Sequence, residues 1–161
     1  MKNNRSYTID EVKLLLQNFC VYRERSHKEV EMKLASIGIS QNISDIIVTG
    51  LIEENFLNET RFASSFSSGK FRYNKWGKNK IRNELKARGI SDYNINTGLK
   101  EIDHTEYIEV IKDLIDRKYK SLGESNILVL REKIVAFLLR KGFEYDLIID
   151  LIRAKIGNEI F

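Results

Sequence analysis

A short pattern of apolar residues closing on glycine occurs three times in this chain of 161 residues. Val30, Leu34, Gly38 and Ile39 are followed, 51 residues on, by Ile81, Leu85, Gly89 and Ile90, and after a further 53 by Ile134, Leu138, Gly142 and Phe143. Gly50-Leu51 likewise returns as Gly98-Leu99, with a shorter link after the second copy. Self-similarity at a near-fixed period marks stacked units, each too small to bury its own apolar faces alone. An aliphatic pair four apart before a glycine also arises by chance among amphipathic helices, so the repeat must be supported by what surrounds it.

That support comes from helix signals. Thr8 with Glu11, Ser26 with Glu29, and Asp103 with Glu106 have the spacing at which two side chains satisfy free amides of a first helical turn. Val12, Leu15, Leu16 and Phe19 predict a helix from Ile9 to about Glu24, and Val30, Leu34 and Ile37 a second that ends at Gly38. Ile43, Ile46, Ile47, Leu51 and Ile52 mark a third, starting near Ser40 to Asn42. Asn58 is placed to cap a fourth that carries Phe62, Ala63 and Phe66 and whose end is blurred by the serines up to Ser68. After the basic stretch treated below, Ile95, Leu99 and Ile102, then Ile108, Ile111, Leu114 and Ile115, then 127–139, and finally Tyr145, Ile148, Ile149 and Ile152 continue the series, with Ile156 and Phe161 as a docking tail. No proline interrupts it. The fold class expected is all-α, as three tandem three-helix repeats of helix-turn-helix type, divided at 8–68, 69–120 and 121–161.

Charge is distributed unevenly over these repeats. Residues 70–90 hold eight basic residues against the single acid Glu84, a balance of +7, so the rest of the chain sums to −3 within a net charge of +4. A basic block on one element produces a directed field suited to a polyanion or an acidic surface, whereas spread charge mainly serves solubility. If the helix runs from Lys75 to Arg88, then Lys75, Lys78, Arg82 and Lys86 share a face, with Ile81 and Leu85 turned inward. The interleaved Phe71, Tyr73 and Trp76 add groups that stack on bases or anchor protein interfaces. Lys70, Arg72, Tyr73, Lys75, Trp76, Lys78, Lys80, Arg82, Lys86 and Arg88 are therefore the candidate partner or DNA-binding residues. A solvated charged face is the plain alternative, and Trp76 serves equally as a core residue fastening two repeats together.

Other chemistries lack their residues. No glycine-rich phosphate loop occurs, and no apolar run approaches the ~20 residues a bilayer span needs. The polar start of the chain lacks a secretory pattern, making the cytosol the expected compartment. Cys20, the only cysteine, rules out an internal disulfide. His27 and His104 stand apart without ligand-spaced partners and read as surface residues near helix starts. The serines at 64–68 have no nucleophile context. No metal, cofactor or catalytic set is expected, and the chain reads as a monomeric binding protein rather than an enzyme.

Several ordered segments carry a resemblance. Tyr22-Arg23-Glu24-Arg25-Ser26 with Glu29-Val30 and Lys33-Leu34 comes first, followed by the run from Leu51 through Asn55-Phe56-Leu57-Asn58 to Arg61-Phe62-Ala63. Then come Lys70-Phe71-Arg72, Trp76-Gly77, Lys80-Ile81-Arg82, Glu84-Leu85 and Gly89-Ile90. Together they resemble the bacterial RecX regulatory proteins. Two positions depart from the family pattern: Asn55 stands where glycine is usual and Asn58 where aspartate is usual. The resemblance implies a curved, elongated molecule that lies in the groove of the RecA recombinase–DNA filament and suppresses its ATP hydrolysis, strand exchange and co-protease function in DNA repair and recombination, with secondary affinity for DNA itself. The alternative is a tandem helix-turn-helix protein acting on DNA directly. Against uniform groove reading, the first and third copies lack a comparable basic face: Lys28, Glu29, Glu31 and Lys33 alternate in sign, and Arg131 and Lys133 flank Glu132.

Overall fold

The computed structural model describes residues 6–123 and 125–157, and among these all regular structure is helical. The helices are α1 (Ile9–Tyr22), α2 (His27–Ser36), α3 (Gln41–Glu53), α4 (Glu59–Asn74), α5 (Lys78–Ala87), α6 (Asp92–Leu99), α7 (His104–Leu122), α8 (Ile127–Arg140) and α9 (Tyr145–Ile156). They form three tandem three-helix units: α1–α3, α4–α6 and α7–α9.

Thr8 and Ser26 make the full reciprocal capping box with Glu11 and Glu29, while Asp103 accepts from the Glu106 amide at 2.8 Å, which is half of the expected pair. Asn58 caps α4 by accepting from Arg61 N at 2.9 Å, as an aspartate would. Asn55 has φ 62°, a left-handed conformation that asparagine tolerates far better than most residues. Both departures from the family pattern therefore preserve local geometry. The repeat-closing Gly38, Gly89 and Gly142 are all left-handed, with φ of 80°, 76° and 91°. The histidines lie at the first positions of α2 and α7.

Two expectations need correction. Ile46 and Ile52 do not face inward; they are 66% and 43% exposed, because Ser44, Ile47 and Leu51 hold the buried side of α3. The end of α4, left open by the serine-rich segment, lies at Asn74, with Ser67 and Phe71 buried on the way. The basic helix starts at Lys78 rather than Lys75, since Lys75 is the left-handed cap of α4 with φ 55°. Divisions at 68/69 and 120/121 fall within α4 and α7. The expected docking of Phe161 lies outside the described residues, as does the side chain of Ile156.

The core is divided unequally. Unit 1 has its own cluster around Val12, Leu16, Val30, Leu34, Ile47, Leu51 and Leu57. Units 2 and 3 share another, which runs from Phe71, Ile81 and Leu85 through Tyr107 and Ile111 to Ile134, Phe143 and Ile148. Polar contacts link units 1 and 2. Arg61 Nε donates to Glu24 Oε1 at 2.9 Å and its Nη1 to Asn55 Oδ1 at 2.8 Å, while Lys28 Nζ donates to the Ala87 carbonyl at 3.3 Å.

The glycine pair Gly50 and Gly98 has diverged in purpose. A Cβ on Gly98 would lie 2.7 Å from the Ala63 backbone, so the α4–α6 crossing requires glycine there; at Gly50 nothing lies within 4 Å. Gly50 sits inside α3, where glycine costs about 0.5–1 kcal/mol relative to alanine. Gly50→Ala is expected to raise stability by about that amount in urea denaturation.

Candidate functional site

The basic stretch turns a corner. Lys70, Arg72 and Tyr73 belong to the last turns of α4, Lys75 caps it, Trp76 and Gly77 form the corner, and α5 carries the remainder. The corner is held against unit 3. Gly77 N donates to the Lys141 carbonyl at 2.7 Å and Asn79 N to the Gly142 carbonyl at 3.0 Å. Lys78 N donates to Tyr107 Oη at 2.9 Å, and that hydroxyl donates to Glu144 Oε2 at 2.6 Å. Tyr107 is buried between the rings of Phe71 and Phe143, with centroids 5.5 and 5.4 Å away. Burial first, and then the bond to Glu144, push its hydroxyl well above the ordinary tyrosine range.

At about 100° per residue, α5 divides its cations between two flanks of the buried Ile81 and Leu85. Lys78, Arg82 and Lys86 form one stripe, and Lys80, Glu84 and Arg88 the other. Of the four residues expected to share one face, Lys78, Arg82 and Lys86 do so, whereas Lys75 does not because it precedes the helix. Lys75 lines a depression with Glu106, Glu109 and Asp113 of α7 instead.

Trp76 anchors the second flank. It is half-buried against the core shared by units 2 and 3, with Lys70 Nζ 4.9 Å and Lys80 Nζ 4.5 Å from its ring centroid. Lys141, unremarked in the sequence, stands beside Lys80 and donates from Nζ to the Asn74 carbonyl at 3.0 Å. Burial and the Lys80 charge lower its ammonium below the usual lysine value. Arg88 bonds Glu84 Oε2 at 2.8 Å and lies 4.7 Å from the Phe66 ring centroid. Arg72 and Tyr73 are exposed at the end of α4, Tyr73 by 88%.

The first flank opens onto a groove of about 430 Å³ lined by Lys78, Asn79 and Arg82 of α5, Asn96 and Leu99 of α6, and then Lys100, Ile102 and Glu144. Lys78, Arg82 and Lys100 make no ion pair among the described residues. Lys86, farther along the stripe, pairs with Asp92 at 3.4 Å. Sequence reasoning identified Lys78 and Arg82 but missed Asn79, Asn96 and Lys100. Among the described residues there is no cluster of His, Cys, Asp or Glu able to hold a metal, and no helix long and apolar enough to cross a membrane.

Comparison with known proteins agrees with this organisation. Residues 58–99 match the family model of the RecX second three-helix domain, and 105–152 that of the third. The regulatory protein RecX of Lactobacillus johnsonii is 31% identical over 83% of this chain and 49% of its own length. For that of Clostridium perfringens the values are 30%, 84% and 64%, and for that of Leuconostoc mesenteroides 27%, 89% and 55%. The chain spans about half the length of most of the curated relatives it matches. The crystal structure of RecX from Lactobacillus salivarius superimposes with a TM-score of 0.82 at 26% identity, covering 91% of this chain and 95% of that one.

Proposed function

The chain belongs to the RecX family of regulatory proteins, and on that premise we propose that it binds the RecA recombinase–DNA filament and lowers its ATPase, strand-exchange and co-protease activities, without catalysis of its own. The observation that carries this reading is the fold-wide similarity to a RecX crystal structure, at TM-score 0.82 over 91% of the chain. The two flanks of α5 supply the contact. A helix with cations on both sides of its buried stripe presents positive charge to both walls of a groove, so Lys78 and Arg82 meet one anionic wall and Lys80, with Lys70 and Trp76, the other. Engagement of adjacent protomers by successive units then adds through effective concentration. The protein acts as a monomer in the cytoplasm.

Co-sedimentation separates this reading from direct action on DNA. The chain is expected to pellet with filaments, to pellet far less with DNA alone, and to show a shallow dependence of DNA affinity on salt. Tight DNA binding with a steep salt slope in the absence of recombinase would favour the helix-turn-helix alternative.

A further inference from the structure

We propose that the groove between α5 and α6 is a docking site for an acidic protein segment in which carboxylates flank an apolar side chain. This rests on the filament-binding reading for its biological setting, but the chemistry stands on the groove itself. Its rim carries Lys78, Arg82 and Lys100 with no ion pair among the described residues, and three like charges facing one depression are stabilised by an anionic occupant. Its lining also has an apolar part: Leu99 and Ile102, each 6% exposed, line the depression. The single carboxylate within it, Glu144, already accepts the Tyr107 hydroxyl at 2.6 Å.

Two features favour a peptide over a nucleic-acid strand. No aromatic ring lines the groove, so a base would find no stacking platform there; the Trp76 and Phe66 rings that accompany Lys70, Lys80 and Arg88 belong to the opposite flank of α5, and the Tyr107 ring beside Lys78 is buried. Leu99 and Ile102 give an aliphatic side chain an apolar contact, while Asn79 and Asn96, which also line the groove, carry amides that can hydrogen-bond a peptide backbone. Lys78 is steadied for this role, its ammonium lying 4.8 Å from the Tyr107 ring centroid.

The test uses the full chain without recombinase and a fluorescein-labelled peptide in which glutamates flank a central leucine, read by anisotropy. Binding is expected to the unmodified chain, with R82E and K100E each weakening it about tenfold or more, and K13E on unit 1 leaving it unchanged. A peptide with glutamine for glutamate should bind weakly, and oligothymidylate should not compete. Amide shifts in the unmodified chain on adding the peptide should cluster at 78–82 and 96–102, which keeps the test decisive should a variant misfold. Absence of peptide binding, indifference to K100E, or displacement by oligothymidylate would overturn the assignment. Failure here leaves filament co-sedimentation untouched; peptide binding without filament binding would instead remove the filament and leave the groove with another acidic partner.

Discussion

Gly77→Ala is expected to lower stability by about 3 kcal/mol or more, a fall in melting temperature of roughly 6–12 °C for a chain of this size. The cause is steric and lies far away in sequence. A Cβ at Gly77 would be 2.2 Å from the Gly142 carbonyl carbon and 2.3 Å from Phe143 N, both backbone atoms that no rotamer change can move aside. Accommodation would part unit 2 from unit 3, breaking the Gly77 N to Lys141 O and Asn79 N to Gly142 O bonds and opening the shared core behind them. Because unit 1 has a separate cluster, the loss should fall on units 2 and 3. Hydrogen exchange should show α5 to α9 loosened and α1 to α3 near their original protection.

Tyr107 supports the same junction from inside the core, and two substitutions divide its contribution. Tyr107→Ala removes a ring that is 1% exposed and packed between Phe71 and Phe143, at a cost of about 3–5 kcal/mol. Tyr107→Phe keeps the ring but leaves the Lys78 amide without its acceptor and Glu144 without its donor, at about 1–3 kcal/mol. The two variants should also differ from the unmodified chain in alkali. The folded-state hydroxyl titrates above its ordinary value of 10.0, so the folded protein holds that proton after the unfolded chain has lost it. Its contribution is complete below pH 10 and declines as pH rises further. Urea midpoints measured across that range should fall less steeply in Tyr107→Phe than in the unmodified chain.

Much of the fold was legible because its signals are local or periodic. Reciprocal caps at Thr8 and Ser26, and glycines closing the second helix of each unit, are written within a few residues of where they act. The family pattern reached further: it flagged Asn55 and Asn58 as departures, and the backbone shows both doing what the usual residues would do. The site was less legible for two reasons. The left-handed cap at Lys75 starts α5 at Lys78, so Lys75 drops out of the face it had been read to share with Lys78, Arg82 and Lys86. Trp76-Gly77 was visible as a motif, but its reason lies 65 residues on in the Lys141-Gly142-Phe143 turn, and a single long-range contact leaves no periodicity to detect. Lys100 was passed over because it closes a helix whose own charge is unremarkable; only the packing of α6 beside α5 brings it to Lys78 and Arg82.

The claim on which the account turns is that α5 of the middle unit makes the filament contact. The direct measurement is ATP hydrolysis by recombinase filaments on single-stranded DNA, titrated with the unmodified chain and with the double variant K78E/R82E, after circular dichroism and thermal melting have shown the variant to be folded. Strong inhibition by the unmodified chain and its near-complete loss in K78E/R82E is the predicted result. Full inhibition by a folded K78E/R82E would contradict it.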